Sequence, residues 1–299
     1  MGRIGVIGLG SMGYGMARSA LAAGFEVIGE DVDAARAARF RAEGGAAQTL
    51  SGAVGSLDAV VVVVLNAAQT EAVLFGPDGV VAGMRAGAVV IGCATVAPDF
   101  AREMEARCRA HGVLYLDAPI SGGAAKAADG RLTVMAAGTP DAFAAARPVL
   151  EAVAETVFAL GDGAGAGSAM KAVNQLLAGV HIAAMAEALT FGMTQGIAPE
   201  RFVEVIRQCA GTSWMLENRA PHIVAGDYAP RSAVTIWPKD LGIVLDIARG
   251  ADFAAPVTAA ALQQFLAAAG MGLEQEDDAA VAKVYARNAG LVLPGEDGA

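Results

Sequence analysis

The chain opens on Arg3-Ile4-Gly5-Val6-Ile7, a strand-like apolar run, and passes directly into Gly8-Leu9-Gly10-Ser11-Met12-Gly13. A strand feeding G-x-G-x-x-G at the mouth of a helix leaves few folds open. Gly8 makes the tight turn, Gly10 lets the backbone approach a pyrophosphate, and Gly13 lets the helix pack closely on the strand. The helix N-terminus then offers its N–H groups to the phosphates. The spacing alone is weak in a chain with 38 glycines; its context strengthens it. An apolar helix over 12–23 and a second strand over 26–30 lead to Asp31, eighteen residues after Gly13, where a ribose-binding acid is expected. A carboxylate there accepts from both ribose hydroxyls and repels the extra phosphate of NADP, so the expected cofactor is NAD. Leu9, Ser11 and Met12 complete the loop that holds it. Glu30 adds to the repulsion, whereas Arg36 and Arg39 oppose it. The competing role for Asp31 is capping a helix that starts near Ala34.

Beyond this point short apolar runs at 60–65, 89–92, 114–116, 132–136 and 156–160 alternate with helix-compatible segments. The alternation predicts an α/β fold with a largely parallel, doubly wound sheet of Rossmann type. Its middle strands are apolar throughout because both faces are covered. The run Gly161-Asp162-Gly163-Ala164-Gly165-Ala166-Gly167 then breaks the pattern, and the remainder reads as helices at 168–195, 199–209, 239–249, 256–269 and 279–289. The expected organisation is a cofactor domain over 1–161 and an all-helical substrate and oligomerisation domain over 162–299.

Composition narrows the function. With 299 residues and 55% hydrophobic content the chain can build two cores, and a net charge of -10 repels nucleic acid and anionic membrane surfaces. Cys93, Cys108 and Cys209 form no C-x-x-C and cannot all pair, which points to a reducing cytoplasm. The uninterrupted aliphatic run at 59–65 is far too short to span a membrane. His111, His181 and His222 are widely spaced, without a zinc-binding or nucleophile-elbow motif, so no metal is expected.

Two polar groups stand out. Lys171, Asn174 and Gln175 lie at i, i+3 and i+4 in the long apolar helix, on one face just after the glycine run. A buried lysine is costly unless its charge is paired or its pKa falls, and a lowered pKa suits a general acid/base. The plainer reading leaves the amine in water at the helix start. Asp117-Ala118-Pro119-Ile120-Ser121-Gly122-Gly123 follows a strand end, where open sheets bind ligands. The Ser121 hydroxyl and the N–H groups of Gly122 and Gly123 make a suitable cradle for a carboxylate, and an ordinary turn is the alternative.

With these segments in order, the chain resembles the β-hydroxyacid dehydrogenases over nearly its whole length. The resemblance rests on residues 8–13, on 117–123, on the glycine run leading to Lys171 and Asn174, and on Lys239-Asp240-Leu241. It implies that Lys171 is the catalytic acid/base, that Ser121, Gly122 and Gly123 contact the substrate carboxylate, and that Asn174, with Gln175 beside it, orients a small hydroxy acid. It also implies that Lys239, Thr95 and the loop carrying Leu65 and Asn66 face the cofactor. The segments at 121–128, 174–182, 213–219 and 237–240 resemble the branch that oxidises the 2-hydroxyl of L-threonate to 2-dehydro-L-erythronate. Trp214, Asn218 and Arg219 are candidates for holding extra hydroxyls; a core tryptophan with a surface arginine is the plain alternative. Branches acting on 3-hydroxyisobutyrate or tartronate semialdehyde stay open, as do an imine reductase and a non-catalytic cofactor-binding protein. The long apolar helix and the alanine-rich helical part need more cover than one chain offers, so a homodimer or homotetramer is expected.

Overall fold

The computed structural model describes residues 2–296. In chain order the elements of the first part are β1 (Arg3–Ile7), α1 (Ser11–Ala22), β2 (Glu26–Glu30), α2 (Ala34–Ala42), α3 (Leu50–Ala53), β3 (Ala59–Val62), α4 (Ala67–Phe75), β4 (Val89–Gly92), α5 (Pro98–Ala110), β5 (Leu114–Asp117), β6 (Ile120–Ser121), α6 (Gly123–Ala128), β7 (Leu132–Ala136), α7 (Pro140–Val153) and β8 (Ala154–Ala159). They are followed by α8 (Ala166–Thr194), α9 (Pro199–Ile206), α10 (Trp214–Ala225), α11 (Ile236–Gly250), α12 (Pro256–Gly270) and α13 (Ala282–Asn288). The chain divides into two compact units, one through Lys171 and one from Ala172, so the division falls inside α8.

In the first unit five parallel strands run in the order β2-β1-β3-β4-β5. Each strand of a parallel pair needs a crossover, and the helices that make those crossovers cover both faces. Alternate side chains feed two separate cores. Val61, Ile91 and Leu116 pack with Met16, Ala146 and Leu150, whereas Val60, Val62 and Val90 pack with Leu74, Met104 and Cys108. The chain winds outward from β1 to β2 on one side and to β3 on the other, which leaves a switch point above the carboxyl ends of β1 and β3.

The runs at 132–136 and 156–160 do not extend this sheet. Pro119 has no N–H with which to continue a ladder, and after it β6 turns back to pair antiparallel with β7, which pairs parallel with β8. An isolated bridge between Asp117 and Ala137 joins this three-stranded sheet to the end of β5.

The second unit is helical, with a core of Ile182, Met185, Leu189, Phe202, Trp237, Leu241 and Phe265. Trp237 stacks on Phe265 at 5.5 Å between ring centroids. Helix α10 was not among the expected helices because Pro221 interrupts its pattern. The Ser213 hydroxyl accepts from the Leu216 N–H at its start, and left-handed Gly226 ends it. Helix α8 is long and apolar enough to cross a membrane by length and composition, a feature that the short aliphatic run at 59–65 does not reveal. It carries the buried polar side chains of Ser168, Lys171, Gln175 and Thr190, as a core helix does.

Candidate active site

The first three loops at the carboxyl edge of the parallel sheet fit a dinucleotide. Gly8 has φ +94°, and a Cβ there would lie 2.4 Å from the Val63 carbonyl oxygen of the next strand's exit. A Cβ on Gly13 would lie 1.8 Å from the Gly8 carbonyl oxygen, so the helix can pack this close only without a side chain. Gly10 is different: nothing stands within 4 Å of the place a Cβ would take, which leaves the backbone open to a ligand. Gly10 also precedes α1 with no side-chain cap, so the first N–H groups of this 12-residue helix face outward beside exposed Ser11 and half-buried Met12.

Asp31, at the end of β2, accepts from the Leu9 N–H at 2.6 Å and from the Asp33 N–H at 2.8 Å. It therefore ties the glycine loop to the neighbouring strand and presents its remaining lone pairs beside that loop. The cap of α2 is Asp33, whose side chain accepts from the Ala35 N–H, so the capping role weighed for Asp31 belongs to its neighbour. Arg36 lies 3.8 Å from Asp31.

Beyond β3, Leu65 is exposed and Asn66 caps α4 by accepting from the Gln69 N–H at 2.9 Å. The Gln69 side chain in turn accepts from the Leu65 N–H at 2.9 Å. Half-buried Thr95 follows β4. Thus Gly8, Asp31, Asn66 and Thr95 follow the ends of four adjacent parallel strands.

Around β5 and β6 the structure assembles the second group. Gly122 and Gly123 have φ +132° and +78°, a backbone that side chains rarely tolerate. Ser121 immediately precedes them. Lys171 reaches this loop: its Nζ donates to the Ile120 carbonyl oxygen at 2.8 Å, and the residue is 8% exposed. The lysine is placed there by Asp117, a residue whose individual role the sequence left unassigned. Its Oδ2 accepts from the N–H groups of Gly165 and Ser168, and its Oδ1 from the Ser168 hydroxyl at 2.6 Å. Burial pushes the Asp117 carboxyl above its ordinary range, against those three donated bonds. Gly167 allows the approach, since a Cβ would lie 2.4 Å from the Met135 carbonyl oxygen and 2.7 Å from that of Asp117. The carboxylate thus anchors the first turn of α8, and Lys171 follows one turn later.

In the second unit the polar residues of α8 meet α11. Asn174 Nδ2 donates to Gln175 Oε1 at 2.9 Å, and Gln175 Nε2 donates to Asp240 Oδ2 at 2.5 Å. Lys239 Nζ lies 2.6 Å from Asp240 Oδ1. Trp214 and Asn218 are exposed on α10, but Arg219 turns inward and pairs with Asp278, which also accepts from the Trp237 indole. Arg219 is therefore spent on a buried carboxylate, and the plain alternative is reversed on both counts: Trp214 is exposed rather than in the core, and Arg219 is largely buried rather than on the surface. Burial pushes the Cys93 and Cys108 thiols up to about 12, which removes both as nucleophiles at neutral pH. Among the described residues no group of three or more His, Cys, Asp and Glu side chains is placed to hold a metal.

Residues 3–161 match the family described as the NAD binding domain of 6-phosphogluconate dehydrogenase, and residues 165–285 match the NAD-binding region of NADP-dependent 3-hydroxyisobutyrate dehydrogenase. The chain is 50% identical to L-threonate dehydrogenase of Cupriavidus necator, with 98% of each chain covered. It is 44% identical to the Escherichia coli K12 protein of the same name, with 98% of this chain and 96% of the other covered. A crystal structure described as 3-hydroxyisobutyrate dehydrogenase from Salmonella typhimurium superposes with a TM-score of 0.90 at 46% identity, over 95% of this chain and 100% of that one. Matched by both family models and by relatives over nearly its whole length, the chain belongs to the β-hydroxyacid dehydrogenase family, NAD-dependent oxidoreductases of small hydroxy acids.

Proposed function

We propose that this enzyme oxidises the 2-hydroxyl of L-threonate to 2-dehydro-L-erythronate. The observation that carries the chemistry is the Lys171 amine, held 2.8 Å from the Ile120 carbonyl beside the 121–123 loop; the substrate follows from the high identity to the L-threonate dehydrogenases. The N–H groups of Gly122 and Gly123 and the Ser121 hydroxyl hold the substrate carboxylate. Lys171, in its amine form, takes the proton of the reacting hydroxyl as the hydrogen on the same carbon leaves as hydride. NAD, when bound, supplies the hydride acceptor. Gly8, Leu9, Gly10, Ser11, Met12 and Gly13 hold its pyrophosphate, Asp31 its adenosine ribose, and Leu65, Asn66, Thr95 and Lys239 the nicotinamide side. Asn174, one turn after Lys171 along α8, orients the substrate. In this reading residues 1–161 form the cofactor domain and 162–299 the substrate and oligomerisation domain.

We further propose a cytoplasmic homodimer or homotetramer that binds neither nucleic acid nor membrane. Exposed Met170, Val173 and Leu177 along α8 support the self-association.

The test is NADH formation from L-threonate, with D-threonate, D-glycerate and 3-hydroxyisobutyrate as competitors. Turnover of L-threonate at least tenfold above the others is expected, and turnover of another acid alone would replace the substrate. Lys171→Ala is expected to lower kcat by at least about 1,000-fold while NAD binding persists by fluorescence titration. Retained turnover would remove Lys171 from the chemistry.

A further inference from the structure

We propose that Gln175 and Asp240 are positioning residues that fix which end of the Asn174 amide is offered to the substrate. The inference rests on the reading, given above, that Asn174 meets the substrate.

An amide has a donor end and an acceptor end of nearly the same size, so only its partners decide its orientation. Asp240 is 2% exposed, and as a carboxylate it only accepts. Lys239 Nζ lies 2.6 Å from Oδ1 of that carboxylate. The Gln175 side chain, 2.5 Å from Oδ2, must therefore turn its NH2 toward Asp240, because the flipped amide would press oxygen against oxygen in a buried place. Gln175 Oε1 then points the other way and accepts from Asn174 Nδ2 at 2.9 Å. That bond orients the second amide in turn. Asn174 Oδ1 is left as the acceptor, and one N–H of Nδ2 as a donor, for a ligand one helical turn beyond Lys171. The sequence of charges and amides thus converts a buried carboxylate on α11 into an acceptor for a substrate hydroxyl.

The charged groups meeting the Gln175 amide are Asp240 directly and Lys239 through it, both from α11; on its own helix Lys171 precedes it by one turn. Gln175 itself engages protein at both ends and acts through Asn174.

The experiment compares Gln175→Leu, Gln175→Glu and Asn174→Ala by kcat and KM for the acid and for NAD across pH, each as a ratio to the unchanged enzyme at the same pH. Gln175→Leu keeps the volume and removes both bonds, and kcat/KM for the acid should fall at least tenfold at every pH with the KM for NAD within twofold. Gln175→Glu discriminates within one folded protein. Protonated, Glu donates its O–H to Asp240 and accepts from Asn174, as the amide does; ionised, it faces the Asp240 carboxylate. Its activity ratio should therefore be high at acid pH and fall as pH rises and the introduced carboxyl ionises. A flat Gln175→Glu ratio, or a Gln175→Leu enzyme within twofold of the unchanged one, overturns the inference. If Asn174→Ala is impaired while Gln175→Leu is not, the relay alone fails. If Asn174→Ala retains full turnover, the reading of Asn174 as a substrate contact fails, and the relay with it.

Discussion

The two units prepare their polar groups for a ligand in opposite ways. Through Lys171, the groups proposed to meet ligands are largely main-chain ones, such as the N–H groups after Gly10 and the left-handed backbone at Gly122 and Gly123. Side chains there also pin that backbone, Asp31 at Leu9 and Asp117 at Gly165 and Ser168. From Ala172 onward the order is reversed: regular helices carry the backbone, and side chains meet one another through amides and carboxylates, as in the Asn174–Gln175–Asp240 series and the Arg219–Asp278–Trp237 cluster. A site built from backbone depends on what a position lacks, whereas one built from side chains depends on which partner each atom has found.

The largest effect should come from breaking the backbone side of this contrast. In Gly13→Ala the new Cβ would meet the Gly8 carbonyl oxygen at 1.8 Å, and both groups belong to rigid main chain. NAD affinity, read by fluorescence titration, should fall by at least about 100-fold, while the helical unit keeps its circular dichroism. An unchanged affinity would mean that the loop is softer than its close contact implies.

The corresponding break in the second unit is Arg219→Ala. Asp278 is fully buried, and burial pushes its carboxyl up even with Arg219 beside it. Removing the guanidinium leaves that charge with the Trp237 indole alone and should cost about 3 kcal/mol in denaturant unfolding at pH 7. The pH dependence has a definite sign. A carboxyl whose folded pKa lies above its unfolded value binds more protons when folded, so its penalty is absent at low pH and grows as pH rises through the interval between the two values. The loss from Arg219→Ala should therefore shrink as pH falls toward the acid range. Below its melting temperature the variant should turn over substrate at the unchanged rate; a raised KM for the acid would return Arg219 to the list of substrate contacts.

The same contrast explains what could be read from residues alone. The glycine loop, the strand runs at 89–92 and 132–136, and the α/β-then-helical order were legible because they depend on local spacing and on absent side chains. The second sheet was not, since pairing is decided between distant strands and the only local hint was Pro119. Helix α10 was hidden by Pro221, although Ser213 three residues before Leu216 carried its cap. Lys171, Asn174 and Gln175 were visible as polar residues on an apolar helix. Their partners were not: Ile120, whose carbonyl accepts from Lys171, lies 51 residues before it, and Asp240 lies 65 after Gln175, with only their presence in strand-end and helix-start motifs to mark them.

Asn66 sharpens the comparison on a smaller scale, because it is a side chain of the first unit already spent on the backbone. Its carbonyl oxygen accepts from the Gln69 N–H at 2.9 Å and caps α4, while the Gln69 side chain closes back on the Leu65 N–H. What this loop offers a cofactor is then mostly its main chain, held in shape by the cap. Asn66→Ala should cost about 1 kcal/mol of stability and raise the KM for NAD only a few fold. Asn66→Asp keeps the capping oxygen and should recover both losses if the side chain works through the loop. A KM for NAD that stays high in Asn66→Asp after stability has returned would instead assign the Asn66 amide N–H to the cofactor itself, and the division between backbone and side-chain sites would stop at this loop.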